Sequence, residues 1–370
     1  MKRLLSLVLL AVVFVGCSKK AESPKKDGYV YEPVRIVSAY IPLVEKPDAT
    51  RALLLGDEAK RLSEYLTNAG VKCFRTREGR FDLIVVSCSG MTQASCERLC
   101  ESLSENGVVA WLMDVEGVTA EALLENFRGF SLAEAHLWMP GENRWVLVGR
   151  RTARKIRMSS MLEVFVRERA FDDLAKAKCG TLAEIFASYA GTANDYVPAF
   201  FGLSRGVQVG PSLFLTEKIP QIGWIDDSDL DEDIRKSLHA EIRSLQLMRR
   251  EAVKASLLAA QATDKKGEEA VAEAFAKVML RNPNELLVLE RLDRLERNAK
   301  GFLSVGKVLL AMKCYETMVL IRPGDASAVH NFGMCLKKIG KLDLAEKILA
   351  RAKALAEGKG ADAPEKNSAR

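Results

Sequence analysis

Ala52-Leu53-Leu54-Leu55-Gly56-Asp57, Phe81-Asp82-Leu83-Ile84-Val85-Val86-Ser87 and Gly107-Val108-Val109-Ala110-Trp111-Leu112-Met113 are short apolar runs separated by amphipathic, helix-length segments. Near-continuous hydrophobicity marks strands covered on both faces, and alternation with helices marks a parallel sheet. Working outward, Asp57 to Ala69 carries Ala59, Leu62, Tyr65 and Leu66 on one helical face and stops at Gly70. Val71-Lys72-Cys73-Phe74 reads as a short second strand, and Glu78-Gly79-Arg80 turns the chain into the Phe81 run. Thr92 to Glu105 reads as the next helix, with Asn106-Gly107 as its stop, and Ala120 to Phe127 as another. His136-Leu137-Trp138 and Arg144-Trp145-Val146-Leu147-Val148-Gly149 predict a closing antiparallel pair around Pro140-Gly141. Upstream, Gly28 to Val44 is rich in β-branched and aromatic residues but is interrupted by Glu32-Pro33. It reads as an extended lead-in or a short edge strand. The expected fold is an α/β Rossmann-like domain over 28–225, its core at 51–150, followed by an all-α domain over 226–357.

The chain has 370 residues, 48% apolar and 28% charged, ordinary for two or three folded domains. Its net charge of +6 is spread over 55 basic and 49 acidic residues and implies no polyanion partner. The densest basic cluster, Arg150, Arg151, Arg154, Lys155 and Arg157, reads as a solvated linker face rather than a nucleic-acid or lipid-headgroup patch. No aromatic residues interleave with it, which counts against a nucleic-acid platform.

The N-terminus has an export pattern. Lys2-Arg3 precedes a twelve-residue apolar core, Leu4 to Val15, too short to span a bilayer. Phe14-Val15-Gly16-Cys17 then resembles a bacterial lipobox, with Phe14 where leucine is usual. This implies that 1–17 is a lipoprotein signal and lipobox, Cys17 the lipidated residue and 18–27 a flexible tether. The expected location is the bacterial cell envelope, anchored to a membrane through Cys17. Ser18 resembles the pattern that directs such chains to the periplasm-facing outer membrane. Seven other cysteines remain, an odd number, and oxidising conditions permit pairing. Cys96 and Cys100, four apart, have the wrong spacing for a CxxC redox site, and no histidine pair offers zinc ligands nearby. They read as small semi-buried residues.

The last third repeats. Val329, Phe332, Gly333, Leu336, Ala345, Leu349 and Ala352 have the spacings of a tetratricopeptide repeat. Thirty-four residues earlier, Ala311, Tyr315 and Met318 match Ala345, Leu349 and Ala352, and Pro323 takes the terminal proline place. Val271, Phe275, Val278 and Pro283 suggest a further copy, offset by forty. Small residues at Gly333 and Ala345 allow paired helices to approach, while Tyr315 and Phe332 fill the gap. Such an array would offer a groove to a protein or peptide partner. Asp227, Asp229, Asp231 and Asp233 alternate like the start of a calcium loop. However, Glu232 and Leu238 stand where that loop needs glycine and glutamate, so the run reads as the acidic start of a helix from Glu232 to Ala262. Residues 358–370 read as a disordered tail.

Phe81-Asp82-Leu83-Ile84-Val85, the Gly107 to Leu112 run, Thr119-x-Glu121-x-Leu123, Phe127, His136-Leu137-Trp138 and Val146-Leu147-Val148-Gly149 together resemble the second half of spermidine synthase-like proteins. Leu215 to Trp224 resembles a late segment of membrane-associated members. The resemblance implies a class I S-adenosylmethionine-dependent methyltransferase fold, with S-adenosylmethionine or its decarboxylated form as cofactor. The chain departs from it where the chemistry resides. Only Gly56, followed by Asp57, remains of the glycine-rich cofactor loop. Arg75-Thr76-Arg77 stands where the family has a ribose-binding acid, and Ser87-Cys88-Ser89-Gly90 where it has the amine-binding aspartate. Asp114 and Glu116 are the nearest candidate bases. A Ser or Cys nucleophile at Ser87, Cys88 or Ser89 would need His136 as base, and no G-x-S-x-G elbow is present. The expectation is a non-catalytic envelope scaffold with no cofactor. The alternatives are a working aminopropyl- or methyltransferase of polyamine metabolism, and polyamine or nucleoside binding without turnover.

Overall fold

The computed structural model describes residues 30–130, 132–166, 169–193, 219–220, 222–262 and 264–358. The lipobox with Cys17, the tether, the apolar Val197 to Leu203 segment, Leu215 to Lys218 and the tail from 359 onward lie outside the described residues. The chain divides into two compact units, Met1–Arg250 and Glu251–Arg370.

The first unit is built on a seven-stranded mixed sheet, ordered β2-β1-β3-β4-β6-β5-β8. Its strands are β1 (Arg51–Gly56), β2 (Lys72–Phe74), β3 (Phe81–Ser87), β4 (Leu103–Asp114), β5 (Glu134–Trp138), β6 (Arg144–Arg150) and β8 (Tyr189–Thr192). β2, β1, β3 and β4 are parallel, whereas β6, β5 and β8 join by antiparallel pairing. The three quoted apolar runs are therefore adjacent parallel strands, and the expected closing pair is β5–β6. A separate short ladder pairs β7 (Ile156–Arg157) with β9 (Ile225–Asp226).

The stretch expected to be extended is instead a helix, α1 (Glu32–Glu45). Pro33 sits in its first turn, where a missing N–H costs nothing and the fixed φ suits a helix. Twelve of its fourteen residues are buried, against β6, β4 and neighbouring helices. Burial on all sides overrides the weak strand preference of Val34, Ile36, Val37 and Ile41.

The next helices are α2 (Ala59–Asn68), α3 (Gln93–Glu101) and α4 (Ala120–Gly129). Thr92 caps α3 and Thr119 caps α4, each accepting a backbone N–H. Asn106-Gly107 is not the stop of α3. That helix ends earlier, and both residues lie inside β4. The β3–β4 register slips there, pairing Phe81 with Leu103 but Leu83 with Val108. Asp82 secures the irregularity. It accepts from the Thr50 and Arg51 backbone N–H groups at 3.0 and 3.2 Å and from the Ser104 hydroxyl at 3.2 Å. A side chain at Gly107 would strike Leu103 at 2.7 Å. Three short helices follow: α5 (Met158–Val166), α6 (Ala170–Lys176) and α7 (Leu182–Phe186).

Helix α8 (Glu232–Gln261) begins with Glu232 and Asp233 in its first turn, as the acidic run predicts. The sequence boundary at 225/226 falls before α8, while the two compact units divide within it. The second unit continues with α9 (Lys265–Arg281), α10 (Leu286–Ser304), α11 (Val308–Ile321), α12 (Ala326–Lys338) and α13 (Leu342–Ala356). Consecutive helices α10 to α13 pack on one another. Ala311, Tyr315, Leu336 and Ala345 are buried, Phe332 and Leu349 half-buried, and Pro323 is exposed in the α11–α12 turn. Gly333 marks the close approach of α12 and α13, since a Cβ there would lie 2.9 Å from Leu349. The α10–α11 and α12–α13 turns each use a glycine at positive φ, Gly306 and Gly340, thirty-four residues apart. The offset of forty in the upstream copy has a simple source: α10 has 19 residues where α12 has 13. Among the described residues no helix is long and apolar enough to cross a membrane.

Candidate functional site

Open α/β sheets place ligands outside the carboxyl ends of their strands, where neighbouring connections diverge. Here that point lies between β1 and β3, because β2 falls on the other side of β1. The residues facing one another there are Gly56 and Ser87, in register at the strand ends. Gly56 has φ +98, and a Cβ on it would lie 1.9 Å from the Ser87 carbonyl oxygen. The Ser87 hydroxyl accepts the Glu58 backbone N–H at 3.1 Å and reaches the Leu55 carbonyl at 3.5 Å. The loop after β1 is thus tied down onto the end of β3.

Charged side chains stand over this closure. Arg144 donates to Glu58 at 2.7 Å, and Arg35 Nε lies 3.7 Å from the same carboxylate oxygen. Arg35 also pairs with Glu32, which accepts from the Tyr65 hydroxyl. Arg144 is buried, and that burial holds its pKa below the usual guanidinium value against the opposing pull of Glu58 and Asp114.

The residues singled out from the sequence do not assemble into a catalytic set. Asp57 is exposed in the turn after Gly56. Asp114 and Glu116 are exposed at the end of β4, where the Asp114 carboxylate accepts the Glu116 N–H at 3.1 Å and shapes the loop. Cys88 is exposed, its carbonyl accepting from Trp111 Nε1 at 3.0 Å. His136 is level with Val148 of β6, Ala110 of β4 and Val85 of β3. It is therefore three strand spacings, about 14 Å, from β3, so no Ser/Cys–His pair forms. The cysteines Cys73, Cys88, Cys96, Cys100, Cys179, Cys314 and Cys335 form no disulfide.

His136 belongs instead to a buried network the sequence did not disclose. Its Nδ1 lies 2.8 and 3.0 Å from the two Glu45 oxygens, and Trp138 Nε1 donates to Glu45 at 3.0 Å. Arg150 pairs with the same carboxylate. His136 Nε2 lies 3.4 Å from Glu134, an ion pair rather than a well-formed hydrogen bond. Burial draws the imidazole pKa down, but the charge of Glu45 and the close contacts with the Glu134 and Glu45 carboxylates outweigh it and leave it at about 9. The ring stacks on Trp224 at 4.6 Å, and Trp138, Tyr189 and Phe186 close around them. Arg150, grouped with the solvated basic cluster on sequence grounds, is therefore buried in an ion pair; its charge holds Glu45 rather than facing solvent. One signal was available: Glu45 ends an otherwise apolar helix face.

The chain matches no family model and no curated protein. The structure defines its class as a mixed α/β unit followed by an all-helical unit.

Proposed function

We propose that this chain is a lipid-anchored cell-envelope protein that acts as a non-catalytic scaffold. In this reading it joins a degenerate spermidine synthase-like domain to tetratricopeptide-like helical repeats that take a protein or peptide partner. The observation that carries it is the closure between Gly56 and Ser87, with Glu58 and Arg144 over it. A nucleoside cofactor needs open backbone at that point, and an acid for its ribose. These residues do not fit it. Arg75 and Arg77 follow β2, and the Ser87 to Gly90 stretch after β3 has no carboxylate. The four parallel strands, with the reversed strand β6 beside them and β5 returning to the parallel direction, are consistent with the methyltransferase-like ancestry. Exposed Leu309, Leu320, Leu342 and Leu344 give the helical unit apolar surface to offer a partner.

Calorimetric titration of the full chain with S-adenosylmethionine and its decarboxylated form is expected to give no heat of binding. Micromolar affinity for either would overturn the scaffold reading and restore the transferase. The anchor is tested separately. Cells expressing the chain with a labelled fatty acid are expected to acylate it, and Cys17→Ala to abolish the label. Incorporation that survives the substitution would remove the lipoprotein reading.

A further inference from the structure

We infer that the α/β unit carries an anion site for a phosphate monoester or diester, at the end of the sheet opposite the Gly56–Ser87 closure. A cavity of about 380 Å³ opens there beside the end of α1, the amino half of β4 and the start of α5. Its lining includes five cations, Lys46, Arg150, Arg154, Lys155 and Arg157, against three carboxylates. That is a surplus of two positive charges in a concave space, which focuses potential onto an entering anion.

The surplus is also the part left available. Glu45 is taken by Arg150, His136 and Trp138. Asp48 is taken by Lys46. Asp226 accepts from Ser228 N–H at 3.2 Å and its hydroxyl at 2.6 Å, and it faces Arg157 across the β7–β9 ladder. Arg154, Lys155 and Arg157 are exposed; Asp226 attracts Lys155 and Arg157, and Asp48 attracts Arg154. With Asp48 held by Lys46, the three share one further carboxylate, Asp226, so a positive excess remains for an entering anion.

The backbone adds a second, independent element. α5 starts directly after Arg157, and Ser160 of its first turn lines the cavity. That turn contains no acidic side chain of its own, although Asp229 accepts from its Ser159 hydroxyl, and the N–H groups of a helix start favour a phosphate or carboxylate. Arg154 and Arg157 can each supply a forked pair of hydrogen bonds, and a phosphate has oxygens enough to accept from both.

The same chemistry is available from a soluble phosphate ester or from the headgroup of an anionic phospholipid. The test therefore has two arms on the full chain. One titrates inorganic phosphate and glycerol phosphate by calorimetry. The other co-sediments the chain with phosphatidylcholine vesicles with and without phosphatidylglycerol. Each arm compares wild type with Arg154→Ala/Lys155→Ala/Arg157→Ala. A control, Lys236→Ala/Lys277→Ala/Lys353→Ala, removes the same charge from exposed helical surface. Circular dichroism melting confirms that each variant is folded. Binding in either arm that falls at least tenfold in the cavity variant but less than twofold in the control supports the site and names its source. No binding in either arm overturns the inference. So does an equal loss in both variants, which would reduce the effect to general charge.

Discussion

Replacing Glu45 with glutamine is expected to lower the melting temperature of the α/β unit by roughly 10 °C. The Glu45 side chain is fully buried and is the shared acceptor for His136, Trp138 and Arg150. Without its charge, a buried guanidinium and a buried imidazolium face each other with only Glu134 nearby. Removing one partner of a buried pair costs about 3–5 kcal/mol, because the other charge is left uncompensated. All four tryptophans, Trp111, Trp138, Trp145 and Trp224, lie in this unit, so their fluorescence reports its melting alone. The pH dependence gives an independent check. The His136 pKa is raised from 6.5 to about 9 in the folded chain. Its contribution, about 3 kcal/mol, is fully present below pH 6.5 and is lost as pH rises through 9. Wild type is thus expected to lose stability between pH 6.5 and 9 as Glu45→Gln flattens that slope. A melting shift under about 3 °C, with the slope unchanged, would show that the network contributes little net stability.

That network also shows what a linear sequence conceals. β1, β3 and the second half of β4 were legible because strands buried on both faces are apolar at almost every position, a local property. The antiparallel pair at 136–138 and 144–149 was legible from two short runs on either side of Pro140-Gly141. α1 was not, because its β-branched residues prefer strands weakly while its helicity comes from being packed on every side. The start of β4 was misread because Asn106-Gly107 is ordinarily a helix stop. Here Gly107 serves a close approach to Leu103 instead. The pairing of Glu45 with His136 and Arg150 spans 91 and 105 residues. Nothing local could have linked them, so Arg150 was grouped with its exposed neighbours Arg151 and Arg154. The helical character of the last third was legible in spacing, but the offset of forty there reflects the greater length of α10 over α12, which spacing alone does not reveal. At the candidate site, the scarcity of glycine and carboxylates after β1, β2 and β3 was visible in sequence. What fills their place was not, because Glu58, Arg144 and Arg35 come from three separate elements.

Gly56→Ala is expected to be among the most damaging single-methyl additions to this chain, and the outcome bears directly on function. The φ of +98 alone disfavours any side chain, by about 1–2 kcal/mol. The added methyl would also need the Ser87 carbonyl, 1.9 Å away, to withdraw by well over an ångström. That carbonyl belongs to a strand held between two others, so the move disturbs the sheet, at about 1–3 kcal/mol or more. Gly79→Ala separates the two contributions. Gly79 has the same φ of +98, but a Cβ there meets only the side-chain end of Arg51, at 3.2 Å, and no backbone. It is expected to cost about 1–2 kcal/mol, and Gly56→Ala at least twice as much. Tryptophan melting of the two variants measures the difference. If they melt together, the ends of β1 and β3 separate cheaply, and the closed crevice becomes one state of a site that can open. A cofactor could then enter between Gly56 and Ser87 after all. If Gly56→Ala is far the worse, the closure is part of the packed sheet, and binding there would have to break it. Only the second result leaves the α/β unit with a structural role at this end of the sheet.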